Sequence, residues 1–88
     1  MTPALRKELR SKAHALKPVV LTGQAGVTKN VLAEIELALD HHELIKVRLR
    51  AERDARKEMT TMVCNKTGAD LIQSIGQIIT LYREKPED

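Results

Sequence analysis

The stretch from Ile45 to Arg50 constrains the fold of this chain more than any other feature of its sequence. Three aliphatic residues alternate there with three cations: Ile45, Lys46, Val47, Arg48, Leu49 and Arg50. A period of two is typical of a half-buried strand, which packs one face on a core and presents the other to solvent. The cations would then stand in a row about 7 Å apart. Because like charges repel, such a face either binds an anion or is softened by neighbouring acids or threonines.

The residues before this stretch predict two helices and one further strand. Three signals indicate a helix over residues 3–16: a capping hydroxyl at Thr2, a proline at the first helical position and apolar residues at helical spacing. The apolar run of residues 18–21, bounded by proline and glycine, indicates a buried strand. Thr28 is a suitable N-cap for a second helix, whose apolar stripe faces the core and whose acidic side chains face water.

Helical spacing resumes over residues 53–67, and Gly68 supplies the C-terminal stop. The inward positions of this segment are apolar: Ala55, Met59, Met62 and Val63. The outward positions are basic: Arg53, Arg56, Lys57 and Lys66. The sequence therefore predicts a third amphipathic helix with a basic outer face.

The last part of the chain predicts a β-hairpin. Residues 71–75 and 78–83 are short strand-like segments on either side of Gly76 and Gln77, which fit a two-residue turn, and residues 84–88 are expected to be a frayed tail. Right-handed strand-helix-strand units predict parallel neighbours. The predicted fold is therefore α/β, a small mixed four-stranded sheet with three helices in the order α-β-α-β-α-β-β, and all 88 residues form one domain.

Composition excludes several classes of protein. Hydrophobic residues make up 42% of the chain and charged residues 31%, which is typical of a folded globular domain rather than a disordered one. No apolar run is long enough to cross a bilayer and the N-terminus has no signal-peptide core, so a cytoplasmic location without membrane contact is expected. Cys64 stands alone, so it can form neither an internal disulfide nor a zinc site, and we expect a small buried hydrophobe.

The sequence offers no combination of residues that catalysis needs. We find no nucleophile paired with a base, no paired carboxylates at a suitable spacing and no metal-ligand cluster. The segment from Gly23 to Gly26 lacks the third glycine of a dinucleotide fingerprint and the GK[ST] ending of a P-loop. We therefore expect a protein that is not an enzyme and needs no cofactor, metal or small-molecule substrate. A nucleotide-handling enzyme remains an alternative, which a thermal-shift titration with nucleotides would detect.

Charge is segregated along the chain. Residues 1–29 and 46–66 are basic, residues 30–45 and 67–88 are acidic, and the net charge is +3. If the basic blocks share one face, that face attracts polyanions. Tyr82 is the only aromatic ring, so base stacking is nearly unavailable. A nucleic acid would therefore be bound chiefly through phosphate, sugar and shape.

A Gly-x-x-Gly loop separates the first predicted strand from the second helix. Its residues are Gly23, Gln24, Ala25 and Gly26. Glycines at such a junction let backbone N–H groups approach a phosphate closely, and the dipole of the following helix favours negative charge. Lys17 and Lys29 stand on either side of the loop in the sequence.

Several ordered blocks of the chain resemble one known family. They are KPVVLTGQAGVT at residues 17–28, VLAEI at 31–35 with Ala38-Leu39, HELIKV at 42–47, and IGQII with LYR at 75–83. Together they resemble the CRM domain, the chloroplast RNA splicing and ribosome maturation module, over nearly the whole chain. The length is similar to that of the single-domain, YhbY-like bacterial members.

The resemblance implies a fold similar to the C-terminal domain of bacterial translation initiation factor 3. It also implies RNA contact through the Gly-x-x-Gly loop and the adjoining basic surface. In bacteria it implies association with precursors of the large ribosomal subunit and assistance in their assembly, whereas plant relatives with several such domains assist group II intron splicing. Carried over by position, the loop role falls on Gly23 and Gly26, with Lys17, Lys29 and Lys46 as flanking cations.

This chain departs from the family in its neutral loop, since members often place a basic residue between the two glycines. The basic strand and the first helix would then supply most of the attraction. The candidate RNA-binding residues are Gly23, Gln24, Ala25, Gly26, Lys17, Lys29, Lys46, Arg48, Arg50, Arg6, Arg10 and Arg83. The partner expected is structured RNA, by resemblance large-subunit ribosomal RNA, with ribosomal proteins as a further class left open. The alternative is a protein-interaction module that uses the acidic second helix or an open sheet edge, with little direct RNA contact.

Overall fold

The computed structural model describes residues 1–85 as three helices and a four-stranded mixed sheet. The elements are α1 Pro3–Ala13, β1 Pro18–Leu21, α2 Lys29–His42, β2 Leu44–Arg48, α3 Arg53–Thr67, β3 Asp70–Ile75 and β4 Ile78–Tyr82. The predicted class and element order are confirmed. Of the predicted frayed tail, residues 86–88 lie outside the described residues, and the amide of Lys85 donates to a carboxylate oxygen of Glu43 at 2.7 Å.

The strand order is β1-β2-β4-β3, with β1 parallel to β2 and the other two pairs antiparallel. The prediction that each strand-helix-strand unit makes its two strands neighbours is correct for β1 and β2. It is wrong for β2 and β3, because β4 lies between them. The physical reason is burial: β4 is buried along most of its length, whereas β3 carries Asp70, Gln73 and Ser74 and is suited to an edge.

The main core lies between one face of the sheet and the helices α2 and α3. Its most buried side chains come from α2, α3 and the two central strands with the residue after β2: Ile35, Leu39, Ile45, Val47, Leu49, Val63, Ile79 and Leu81. The aliphatic side chains of the alternating stretch are thus all buried, as the period of two predicts. Arg48 and Arg50 are exposed and Lys46 is half-buried, so the cations of that stretch remain accessible.

Helix α1 packs on the opposite face of the sheet. Its buried residues, Leu9 and Ala13, lie outside the main core cluster, and the Arg6 guanidinium donates to the carbonyl of Leu71 in β3 at 2.6 Å. The sequence predicts a helix that continues to residue 16, but α1 ends at Ala13. Pro18 opens β1 shortly afterwards, so the chain must leave the helical conformation before it. Within residues 1–85 the rest of this sheet face is open. The prediction that β1 is a buried strand is therefore wrong: only Val20 is buried, whereas Val19 and Leu21 are 53% and 58% exposed.

The apolar stripe of α3 is narrower than the sequence predicts. Val63 and Thr67 are buried and Met59 is half-buried, which centres the stripe on positions four residues apart. Met62 was expected to face inward but is 43% exposed, because it lies about 100° around the helix from Val63. The predicted stop is confirmed: Gly68 caps α3 at a φ of 74°, in the left-handed region that favours glycine. None of the helices within residues 1–85 has the length and apolarity to span a membrane.

Candidate functional site

The Gly-x-x-Gly loop forms a tight turn directly after β1. The Gly26 amide donates to the Gly23 carbonyl at 3.1 Å, and Gly26 has a φ of 74°, which a glycine adopts without strain. A Cβ placed on either glycine would meet no atom within 4 Å, so the backbone borders open space. Gln24 and Ala25 are exposed at the tip. The turn therefore presents bare backbone to any ligand that approaches.

Thr22 fixes this loop to the end of β2. Its side chain is buried, its amide donates to the Arg48 carbonyl at 3.0 Å, and its Oγ1 accepts the amide of Arg50 at 2.9 Å. The loop and the basic end of β2 are therefore held as one unit. Thr22 was not among the residues predicted for the site. Its only sequence signal is a hydroxyl residue between an apolar strand and a glycine, which is common in loops that bind nothing.

The N-terminus of α2 adjoins the loop. Thr28 is the N-cap, as predicted, and its Oγ1 accepts the amide of Val31 at 3.2 Å. In a helix capped in this way the first amides, here those of Lys29 and Asn30, have no partner within the helix. They and the positive end of the helix dipole favour an anion here. Lys29 itself is exposed, so a mobile cation accompanies these fixed donors.

The cations of β2 lie on the open face, beside exposed aliphatic side chains. Leu21, Arg48, Ile78 and Ile75 follow one another across the four strands in register, and Lys46 lies one step, about 7 Å, further along β2. Leu21 and Ile75 are 58% and 65% exposed. Within residues 1–85 no carboxylate forms an ion pair with Lys46, Arg48 or Arg50. The three charges are therefore free to meet an external anion.

Two of the three acids of α2, Glu36 and Asp40, engage Arg83 toward the other end of the helix. The Arg83 guanidinium contacts Glu36 at 2.7 Å and Asp40 at 2.8 Å, and it donates to the Thr67 carbonyl at 2.8 Å. The hydrogen bond to Glu36 raises the pKa of Arg83 above its ordinary value, against the lowering effect of burial. From Lys29 to Asp40 the helix rises about 16 Å. The acidic cluster thus lies well away from the loop, and half-buried Glu36 does not simply face water as predicted.

The structure separates the twelve predicted RNA-binding residues into two groups. Residues 23–26, Lys29, Arg48 and Arg50 meet at the loop end of the sheet, and Lys46 lies about 7 Å from Arg48 along β2, opposite Pro18. Four candidates lie elsewhere: Lys17, Arg6, Arg10 and Arg83. Lys17 precedes β1 at its opposite end, about 15–20 Å from Gly23 along the extended chain. Arg6 and Arg83 are engaged by protein oxygens, and Arg10 is half-buried on α1.

Two further features concern chemistry other than anion binding. Within residues 1–85 no three side chains of His, Cys, Asp or Glu lie close enough to hold a metal ion. Cys64 is half-buried against the core, and burial, together with the charge of Asp70, raises the pKa of its thiol. The thiol is therefore a poor nucleophile at neutral pH.

Known proteins resemble this chain along nearly its whole length. The sequence pattern of the CRS1/YhbY (CRM) domain matches residues 1–83. A Pseudomonas aeruginosa protein named "Probable RNA-binding protein PA4753" is 44% identical over 88 residues, which cover 99% of this chain and 85% of the relative. A Haemophilus influenzae protein named "RNA-binding protein" is 46% identical over 80 residues, which cover 90% of this chain and 81% of the relative.

A solved structure shares the fold. The solution structure of the hypothetical protein SAV1595 from Staphylococcus aureus, described as a candidate RNA-binding protein, superimposes with a TM-score of 0.84 at 35% identity. The match covers 100% of this chain and 93% of that one. With the domain pattern spanning residues 1–83 and these relatives aligned over most of their length, the chain belongs to the CRS1/YhbY (CRM) domain family.

Proposed function

We propose that this protein is a non-enzymatic RNA-binding protein that docks on structured RNA, within precursors of the large ribosomal subunit, and assists their assembly in the cytoplasm. One observation carries the proposal: the Gly-x-x-Gly loop, the start of α2 and the cations Arg48 and Arg50 meet at one end of the sheet, where Thr22 joins them. The names of the relatives support RNA as the partner. We call this end, residues 22–29 with Lys46, Arg48 and Arg50, the loop-end surface.

The loop-end surface captures phosphates by two means. The backbone of the loop and the first amides of α2 act as fixed donors, and the helix dipole adds attraction at short range. Arg48 and Arg50 carry planar guanidinium groups, which grip a phosphate with two parallel hydrogen bonds. The loop-end surface has no aromatic ring, so bases are not stacked and the backbone and shape of the RNA are recognised.

Binding through phosphates makes affinity depend strongly on salt, because each neutralised phosphate releases counterions. Each contact adds roughly 0.7–0.9 to the slope of log K against log salt concentration. A loop-end surface making about four to six contacts would lose roughly a hundredfold to a thousandfold in affinity between 50 and 200 mM salt. Weak and salt-sensitive binding to isolated RNA is therefore expected.

The test is fluorescence anisotropy with a labelled ribosomal RNA hairpin, titrated at several salt concentrations. The double variant Arg48→Ala/Arg50→Ala should lower the salt slope by about 1.4–1.8, as loss of two phosphate contacts requires. The matched control is Lys66→Ala/Lys85→Ala, which removes the same charge from two exposed lysines. Both lie at the other end of the fold, in the last turn of α3 and beyond β4. An equal loss in both variants would mean that only net charge matters and would contradict the proposal.

Sedimentation of the tagged protein through a sucrose gradient of bacterial lysate tests the ribosomal part. Wild type and the lysine control should migrate with large-subunit precursors, while the arginine variant stays at the top of the gradient although folded. If the arginine variant also migrates with the precursors, contact with a ribosomal protein replaces RNA docking through these arginines. The aliphatic row formed by exposed Leu21 and Ile75 with half-buried Ile78 would then be the surface to examine.

A further inference from the structure

An open basic cleft runs between α3 and β3, at the edge of the sheet away from β1. It has a volume of about 550 Å³ and is lined by Arg53, Arg56, Lys57, Thr60, Thr61, Leu71, Ser74 and Gly76. Three of the lining residues are cations and none is acidic. Within residues 1–85 no ion pair involves any of the three cations. The cleft therefore gathers three cations that form no ion pair in the described part of the chain, although Glu52, Asp54 and Glu58 lie in the same stretch of sequence.

The donors of this cleft are partly fixed in place. Arg56 is half-buried, and its Nη1 donates to the Ala51 carbonyl at 2.7 Å, which orients the guanidinium. A guanidinium has five N–H donors, so most of those of Arg56 remain for an anion. Arg53 and Lys57 are exposed and lie one helical turn apart on α3; Arg53 is also one turn before Arg56, and all three line the cleft. The hydroxyls of Thr60 and Thr61 donate to helix carbonyls, so they line the cleft without offering a donor to an anion.

The cleft opens at the same end of the sheet as the Gly-x-x-Gly loop. Gly76 belongs to the β3–β4 turn, and the Gln77 carbonyl in that turn accepts the amide of Leu49 at 2.7 Å, one residue before Arg50. Arg53 begins α3 three residues after Arg50. Cations therefore continue from the loop-end surface past the turn into the cleft. The outer strands β1 and β3 are about 14 Å apart, from three interstrand spacings, so one phosphate cannot serve both sites.

We propose that the cleft between α3 and β3 is a second phosphate-binding site, which holds a further stretch of the sugar-phosphate backbone of the RNA bound at the loop-end surface. This inference rests on the proposed function. Arg56 provides an oriented guanidinium in the cleft, and Arg53 and Lys57 provide charge at its rim. Since the cleft offers no aromatic ring, it binds backbone rather than bases. Two separated sites at one end of the sheet would make this small domain select RNA by shape.

The test uses the full chain and the same labelled RNA hairpin. The variant Arg53→Ala/Lys57→Ala removes two exposed cations that make no hydrogen bond or ion pair within residues 1–85, and it leaves Arg56 and its structural bond in place. The slope of log K against log salt concentration should fall by about 1.4–1.8. The ratio of wild-type affinity to variant affinity should therefore be about tenfold smaller at 200 mM than at 50 mM salt. The control Lys66→Ala/Lys85→Ala should leave the slope unchanged, and both variants should keep the wild-type melting temperature.

Three other outcomes overturn the inference, and they separate it from the proposed function. If wild type binds RNA and Arg48→Ala/Arg50→Ala lowers the slope while Arg53→Ala/Lys57→Ala does not, the cleft is not a phosphate site and the loop-end surface alone binds RNA. If wild type does not bind RNA at any salt concentration, the proposed function fails and the cleft proposal fails with it. Polyglutamate serves as an acidic-peptide probe. If Arg53→Ala/Lys57→Ala binds RNA as wild type does but no longer binds polyglutamate, the partner of the cleft is a protein segment.

Discussion

Arg83 offers a sharp test of the structure, because the sequence alone places it among the RNA-binding cations. In the fold its guanidinium joins the end of β4 to α2 and α3 through Glu36, Asp40 and the Thr67 carbonyl. It should therefore stabilise the domain and contribute little to RNA affinity. The variant Arg83→Gln removes the charge and most of these bonds, while Arg83→Lys keeps the charge but loses the planar fork.

The expected loss follows from the three contacts. The bond to the Thr67 carbonyl is half-buried and contributes about 1 kcal/mol. The contacts with Glu36 and Asp40, whose side chains are 42% and 62% exposed, contribute about 0.2–1 kcal/mol each. We expect Arg83→Gln to lower the free energy of unfolding by about 2 kcal/mol, which lowers the melting temperature of a domain of this size by about 8–16 °C. The melting temperature of Arg83→Lys should lie between those of Arg83→Gln and wild type.

Differential scanning calorimetry measures the stability, and RNA anisotropy at a temperature where every variant is folded measures the binding. The salt slope of Arg83→Gln should equal that of wild type, because the paired guanidinium contacts no phosphate. The reasoning is refuted if the melting temperature moves by less than about 2 °C while the salt slope falls by about 0.9, the value for one lost phosphate contact.

Two further predictions concern Thr22 and Cys64. In urea titrations, Thr22→Val should lower the free energy of unfolding by about 1–3 kcal/mol, because the Arg50 amide loses its acceptor. Thr22→Ser keeps the hydroxyl and should retain most of the stability. Equal losses in the two variants would contradict the anchoring role of Thr22. At about pH 8, Cys64 should react with iodoacetamide more slowly in the folded protein than in the urea-unfolded protein. The reason is that the raised pKa of the thiol leaves less thiolate in the folded state. Equal rates in the two states would contradict the burial of Cys64. The same shift should make stability fall as the pH rises above 9.0, the ordinary thiol pKa, since unfolding then releases a proton.

Much of the local structure follows from short stretches of the sequence. The alternation at Ile45 to Arg50 predicts which side chains are buried, Thr28 predicts the start of α2, and Gly68 predicts the end of α3. These signals work because the periodicity of buried positions and the capping of helix ends depend on residues only a few positions apart. The loop of residues 23–26 is equally local, and the ordered blocks around it carry the family resemblance.

The composition of the candidate site depends instead on the tertiary structure. Lys17 and Lys29 flank the loop in sequence, yet β1 carries Lys17 to the opposite end of the sheet. Arg83 resembles any other cation of a closing strand until the fold brings Glu36 beside it. Conversely, the cations of α3 predict only a solvated helix face, and they line a cleft because β3 lies at the edge next to them.

The sequence by itself therefore determined the elements, the buried face of the stretch from Ile45 to Arg50 and the family, but it did not determine that Leu21 in β1 and Met62 in α3 are exposed. Only the tertiary structure decided that β4 lies between β2 and β3, that Thr22 joins the loop to Arg50, and that Arg83 serves the acids of α2. Periodicity states which face of an element is buried, but it carries no information about which distant element covers that face. Ion pairs and strand pairings join residues that are remote in the chain. They form only when the whole core packs in one arrangement.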